Sequence, residues 1–255
     1  LYFHVPFCRR KCSYCNFYSA PATSEQMAAY TEAVCRNLRH YTSNTVADTL
    51  YFGGGTPSLL APEQLEQILA CAAACFSIPP DAEITLEANP ATLTPENLRR
   101  LRAAGVNRLS LGVQSLSDAQ LRRLGRMHTA QEALDTVEAA AGAGFRNISC
   151  DVMLALPKQT PAELSETLEQ MAQLPIQHIS AYLLKIESGT PFARQHAEQE
   201  CPDEDTAADL YLQTVRTLEQ AGFRQYEISN FAIKDFESRH NMRYWTLGEY
   251  LGFGA

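Results

Sequence analysis

The chain has 255 residues, with 21 Lys+Arg against 29 Asp+Glu for a formal net charge of −8, 45% hydrophobic residues and eight cysteines. That length and apolar content allow one large domain or two small ones with a full core, while the acidic balance makes a poor bulk ligand for nucleic acid or an anionic membrane. No stretch approaches the roughly 20 apolar residues of a membrane span: the longest, 68–78, is broken by Ser77, and the first residues lack a signal peptide's basic and apolar segments.

In chain order, short apolar runs alternate with amphipathic stretches of helical length, the pattern of repeated βα units and a mainly parallel sheet. Strands are expected over 1–5, 45–52, 83–88, 108–112, 147–153 and 178–184. Helices are expected over 24–40, 62–75, 94–104, 129–141, 161–174 and roughly 203–221, several opened by a Ser/Thr cap or an early proline. Three of them end in similar wording, Ala-Gly-Val-Asn-Arg at 104–108, Ala-Gly-Phe-Arg-Asn at 143–147 and Ala-Gly-Phe-Arg-Gln at 221–225, with glycine at the left-handed helix end. Six strands leave a partial barrel and a doubly wound sheet both open. The chain starts at Leu1 without methionine and stops at Ala255 after an aromatic-rich stretch, so it reads as part of something longer.

Cys8, Cys12 and Cys15 lie in one tight run, while Cys35, Cys71, Cys75, Cys150 and Cys201 are scattered. That distribution points to a reducing cytosol and one thiolate site, since disulfide scaffolds are short and loop-rich. Three closely spaced thiolates can hold three irons of a 4Fe-4S cluster and leave the fourth open, and Arg9, Arg10 and Lys11 would favour the thiolate form. Zinc and a disulfide are the alternatives, although structural zinc prefers a second ligand pair that the sequence lacks. The special residues fall at the carboxyl ends of the strands, where parallel α/β folds place their sites. Gly53-Gly54-Gly55-Thr56-Pro57 follows the second strand, and side-chain-free backbone there would let its N–H and C=O groups approach an amino-acid head group. Glu87 and Asp151 lie near apolar strands, where an unpaired carboxylate is costly, so each calls for a ligand or partner.

Cys8-x3-Cys12-x2-Cys15 followed by an aromatic, with the glycine run, resembles the radical S-adenosylmethionine (SAM) superfamily over essentially the whole chain. Within it, Tyr2-x-His4-x-Pro6-Phe7-Cys8, Glu87-Ala88-Asn89-Pro90 and Gly112-Val113-Gln114-Ser115 resemble the oxygen-independent coproporphyrinogen III oxidases and the HemW-type haem chaperones. The resemblance implies an α/β fold, a partial (β/α)6 barrel over 1–230, with 231–255 beginning a C-terminal accessory region. It also implies that SAM chelates the open iron and is held by Tyr2, Tyr14, Gly54, Gly55, Thr56, Glu87, Gln114, Arg126 and Asp151.

Two places separate the relatives. The decarboxylating oxidases carry an extra cysteine two positions after the third cluster cysteine, where this chain has Phe17 in Asn16-Phe17-Tyr18-Ser19. His240-Asn241-Met242-Arg243-Tyr244-Trp245 resembles the haem-binding motif of the chaperone branch, with His240 as axial-ligand candidate. The resemblance therefore implies a cytoplasmic haem chaperone that passes haem to an acceptor protein, with an electron donor if the cluster is redox-active and no nucleic-acid partner. The alternative is a radical SAM enzyme acting on a porphyrinogen. The remaining cysteines read as small buried hydrophobes.

Overall fold

The computed structural model describes residues 1–41 and 45–254. Its elements are β1 (Tyr2–Val5), α1 (Ser24–Leu38), β2 (Thr49–Gly54), α2 (Pro62–Cys75), β3 (Glu83–Ala88), α3 (Pro95–Ala103), β4 (Arg108–Gln114), α4 (Asp118–Leu124), α5 (Ala130–Gly142), β5 (Ile148–Leu154) and α6 (Pro161–Ala172). They continue with β6 (His178–Leu183), α7 (Pro191–Arg194), α8 (Glu204–Gln220), β7 (Arg224–Gln225), β8 (Asn230–Ala232), α9 (Arg239–Trp245) and β9 (Gly252–Gly254). Threonine marks many helix starts: Thr23, Thr129 and Thr160 each form a reciprocal capping box with a Gln or Glu three residues on.

Among the described residues, the nine strands form one sheet in the order β7-β8-β6-β5-β4-β3-β2-β1-β9. From β1 to β6 each strand pairs in parallel with the next in sequence, so the order never reverses as it would in a doubly wound sheet. That decides between the two architectures left open by the periodicity: the fold is an α/β partial barrel, and the sheet is not closed. β9 adds in parallel to β1, whereas β8 pairs antiparallel with β6 and β7 with β8.

Strand alternation divides the chemistry. Phe3, Val5, Leu50, Phe52, Leu86, Leu109, Leu111, Ile148, Cys150, Val152 and Ile179 are buried and join Leu38, Leu65, Ile68, Leu101, Val137, Leu164 and Leu168 of the helices in one core. The intervening positions are polar although buried, among them Thr49, Glu83, Thr85, Arg108, Ser110, Ser149, His178 and Ser180. The core thus lies between sheet and helices, and the inner face of the sheet is a polar interior.

Besides the short elements α4, α7, β7, β8, α9 and β9, which the periodicity did not announce, the structure departs from the sequence expectations in three places. Residues 45–47 make only a single bridge, Val46 to Ser77, before β2 begins at Thr49. β4 runs on to Gln114, which has a left-handed φ of 71° and closes a register irregularity against β5. The boundary expected at 230 falls inside β8, and β8 and β9 belong to the same sheet as the barrel strands, so residues 230–254 continue that body. Ala255 lies outside the described residues. Among those described, no helix is long and apolar enough to cross a membrane.

Candidate functional site

The cysteine loop leaves β1 at Val5 and is tied down on both sides. Ala20 N–H donates to Pro6 O at 2.9 Å and Cys8 N–H to Ala20 O at 3.1 Å, while Ser13 N–H reaches Leu124 O at 2.9 Å. Cys8, Cys12 and Cys15 line one cavity of about 390 Å³, together with Tyr14, Gly54, Gly55, Thr56, Glu87, Gln114, Arg126 and Asp151. All eight cysteines are free thiols, so no disulfide ties the loop. Among the described residues, no three His, Cys, Asp or Glu side chains converge on a position for a single metal ion. The donor set fits an iron-sulfur cluster, whose irons each take one thiolate. Burial raises the Cys15 thiol, and the neighbouring Cys12 and Cys8 add to that. Three thiolates therefore need compensating positive charge, and Arg126 supplies some, its Nη1 donating to Cys12 Sγ at 3.5 Å.

Three N–H groups of the glycine run are engaged within the chain itself. Gly54 N–H donates to Glu87 Oε2 at 3.2 Å, Gly55 N–H to Val5 O at 2.9 Å and Thr56 N–H to Phe7 O at 2.7 Å. These amides are spent on holding the cysteine segment and Glu87, so they are not directed at a head group. The glycines are required by close approach: a Cβ on Gly55 would lie 2.6 Å from Phe7 O, and Gly54 has φ +106° with the His4 ring where its Cβ would be. Gly54 and Gly55 line the cavity without a side chain, and Thr56 Oγ1 lies 3.3 Å from Cys8 Sγ beside them.

Two carboxylates face the cavity from β3 and β5. Tyr51 Oη–H donates to Glu87 Oε1 at 2.7 Å, and Ser110 Oγ–H donates to Asp151 Oδ1 at 3.2 Å. Burial pushes Glu87 up to about 7 and Asp151 up to about 6, against the donors that favour their charged forms. Such groups accept from hydroxyl or ammonium donors and titrate near neutrality. Burial likewise holds the Tyr14 phenol neutral. Arg126 also donates from Nη2 to Gly112 O, which fixes its guanidinium across the cavity wall.

Tyr2 and His240 are not brought to this cavity. Tyr2 lies on β1 beneath it, its Oη 3.3 Å from His4 Nδ1 and its ring stacked on Tyr51 at 6.1 Å. His240 is 1% exposed, with Nδ1 hydrogen-bonded to Thr49 Oγ1 at 2.9 Å and Nε2 to Tyr244 Oη at 3.1 Å. Burial lowers its pKa to about 3. The expected axial imidazole is, in this structure, a buried ring with both nitrogens engaged, because the α9 backbone is anchored at Glu83, which accepts from the N–H groups of Arg239 and His240.

Residues 2–171 match the Radical SAM superfamily. The chain belongs to the radical SAM superfamily. This radical SAM chain is 38% identical over its full length to "Heme chaperone HemW" of Lactococcus lactis, covering 67% of that protein. It is 42% identical to "Radical S-adenosyl methionine domain-containing protein 1, mitochondrial" of Mus musculus, covering 59% of it. Among solved structures, coproporphyrinogen III oxidase (HemN) from Escherichia coli superposes with a TM-score of 0.87 at 26% identity, over all of this chain and 62% of that one. The radical SAM chain thus spans about three fifths to two thirds of the length of these relatives.

Phe17, singled out by the sequence on other grounds, also lines the cavity, while sequence reasoning missed Ser110 and Tyr182, which line it too, and Tyr51, which holds Glu87. A signal was present: Tyr51, Ser110 and Tyr182 occupy every-second positions in line with Gly53, Gly112 and Ser180, on the polar face of otherwise apolar strands.

Proposed function

We propose that this radical SAM protein carries a 4Fe-4S cluster on Cys8, Cys12 and Cys15, binds SAM beside it, and holds haem for transfer to an acceptor protein. The observation that carries the reading is the convergence of three thiols, the glycine cradle, Glu87, Gln114, Arg126 and Asp151 around one cavity. When bound, the cluster would supply the electron for reductive cleavage of the sulfonium, taken in turn from an electron donor. Arg126 offers a fixed cation, while Glu87 and Asp151 accept from ribose hydroxyls or an amino group. The free thiols suit a reducing cytoplasm.

For haem, the relevant surface is the cavity mouth. Phe17, 62% exposed, lines the cavity with Arg10 and Lys11, and the next residue, Tyr18, is 72% exposed; flat apolar rings with cations at the same opening suit a porphyrin with propionates. A second reading, a radical enzyme acting on a porphyrinogen, is favoured by the likeness to coproporphyrinogen III oxidase; the phenyl group at Phe17, in place of the oxidases' extra thiol, weighs against it. The test is anaerobic reconstitution followed by iron and sulfide analysis, SAM titration and haem titration at the Soret band. The parent is expected to take up iron, SAM and haem and to leave coproporphyrinogen unchanged, whereas Cys12→Ala loses most of the iron. Full iron content in Cys12→Ala refutes the cluster assignment, and catalytic decarboxylation establishes the second reading.

A further inference from the structure

The chain commits an aromatic stack and three hydrogen bonds to a histidine that solvent barely reaches. The His240 ring lies 4.9 Å from the Tyr51 ring at an interplanar angle of 24°, while its nitrogens bind Thr49 and Tyr244 and its backbone N–H donates to Glu83. Thr49, Tyr51 and Gly53 stand at alternate positions of β2, so one strand face carries the histidine's contacts, the phenol and the first motif glycine. Above the stack, Tyr51 Oη–H donates to Glu87 Oε1 at 2.7 Å. Packing leaves no slack there: a Cβ on Gly53 would lie 2.9 Å from the Tyr51 ring, 3.1 Å from Tyr2 and 3.2 Å from the Glu87 carboxyl carbon.

We propose that His240 is a positioning residue for the cavity: its ring fixes the plane of Tyr51, and Tyr51 in turn holds the Glu87 carboxylate toward the ligand. The 240–245 motif thereby serves the site from beneath the sheet interior, through α9 docked on β2, rather than by ligating iron. Only the last link, from Glu87 to ligand, rests on reading the cavity as a SAM site. Without the His240 ring, Tyr51 keeps only the more distant Tyr2 ring against it and gains room to tilt, and Glu87 then loses one of its two donors in surroundings that penalise a bare carboxylate.

Four variants test this in the reconstituted protein: Tyr51→Phe, His240→Gln, His240→Phe and the double Tyr51→Phe/His240→Gln. The readouts are SAM affinity, infrared titration of the Glu87 carboxyl assigned with Glu87→Gln, and haem uptake at the Soret band. Tyr51→Phe and His240→Gln are each expected to weaken SAM binding about tenfold and to move the Glu87 midpoint above its value near 7. His240→Phe, which keeps a flat ring on Tyr51, should stay near the parent in all three readouts. The double variant should be no worse than Tyr51→Phe alone, the non-additivity expected of residues acting in series. His240→Asn replaces His240→Gln if the latter does not fold. A Glu87 midpoint unmoved in His240→Gln overturns the proposal, as does a loss in His240→Phe equal to that in His240→Gln, or selective loss of haem uptake in His240→Phe. A midpoint that moves while SAM affinity does not upholds the tether and refutes instead the placement of SAM against Glu87.

Discussion

Alanine at Gly55 would break the joint between the glycine run and the cysteine loop. Its Cβ would stand 2.6 Å from Phe7 O, 2.9 Å from Phe7 N and 2.9 Å from Val5 O, all backbone atoms of the segment that delivers Cys8. No flexible side-chain end can yield, so the two backbones must part and the bonds from Gly55 N–H to Val5 O and Thr56 N–H to Phe7 O must stretch. Two hydrogen bonds at about 1 kcal/mol each, with an overpacking cost of about 1–3 kcal/mol, give about 3–5 kcal/mol. At about 2–4 °C per kcal/mol for a chain of this size, the melting temperature falls by roughly 6–20 °C. Circular dichroism melting and iron content after anaerobic reconstitution measure both consequences, since displacing Cys8 also removes a ligand of the proposed cluster. Gly142→Ala is the control, because a Cβ there meets nothing within 4 Å and φ is not left-handed; it should be neutral or stabilising by about 0.4–1 kcal/mol. A Gly55→Ala protein that melts with the parent and takes up full iron refutes the reasoning.

Glu87 titrates at about 7 in the folded chain against an ordinary 4.5, so its contribution to stability is fully present below pH 4.5 and lost as pH rises to 7. The stability of the parent relative to Glu87→Gln, followed by urea melts of the cluster-free protein, should therefore fall across that window by up to about 3 kcal/mol; parallel curves would show that Glu87 is not perturbed. Phe17→Ala should weaken haem binding about fivefold to tenfold without changing iron content, and unchanged haem affinity removes the mouth from the proposal. Thr85 Oγ1 is buried with no partner among the described residues, so Thr85→Val should be neutral or stabilising by about 1–3 kcal/mol. A melting temperature several degrees below the parent would mean that the hydroxyl is satisfied after all.

Much of the barrel was legible because its signals are local. Each of the first six strands and the long helices after them appear within a few residues of the expected bounds, with the caps at Thr23, Thr129 and Thr160 setting the helix starts. That Cys8, Cys12 and Cys15 would line one cavity was legible for the same reason, the three being spaced within eight residues of one loop. The last part of the chain was not: α9 has seven residues and takes its N-terminal support from Glu83, more than 150 residues away, and β9 exists only by pairing with β1. Neither has enough periodicity to announce itself, so residues 231–255 read as the start of something separate. The surroundings of His240 were hidden on similar grounds. A histidine beside Tyr and Trp looks like a haem ligand in one dimension, and only the fold puts Thr49 and Tyr244 on its two nitrogens.

The polar sheet interior has a mechanical implication of its own. Burying Thr49, Glu83, Arg108, Ser149 and His178 costs more than burying aliphatic residues of the same volume unless each finds a partner. Most do: His178 lies between Ser149 Oγ at 2.7 Å and Tyr226 Oη at 2.8 Å, and Glu83 receives two α9 amides. Arg108 is the exception in kind, 1% exposed with Nε unpartnered among the described residues, and its positive field acts on both Glu87 and Asp151 to favour their charged forms. Stability is therefore carried by the apolar layer between sheet and helices, while the interior is arranged so that its charges bear on the cavity carboxylates. Replacing Leu109 or Val152 on the opposite strand face would act on folding through the cavity it opens in the apolar core, whereas a change at Arg108 would also alter the field at both cavity carboxylates.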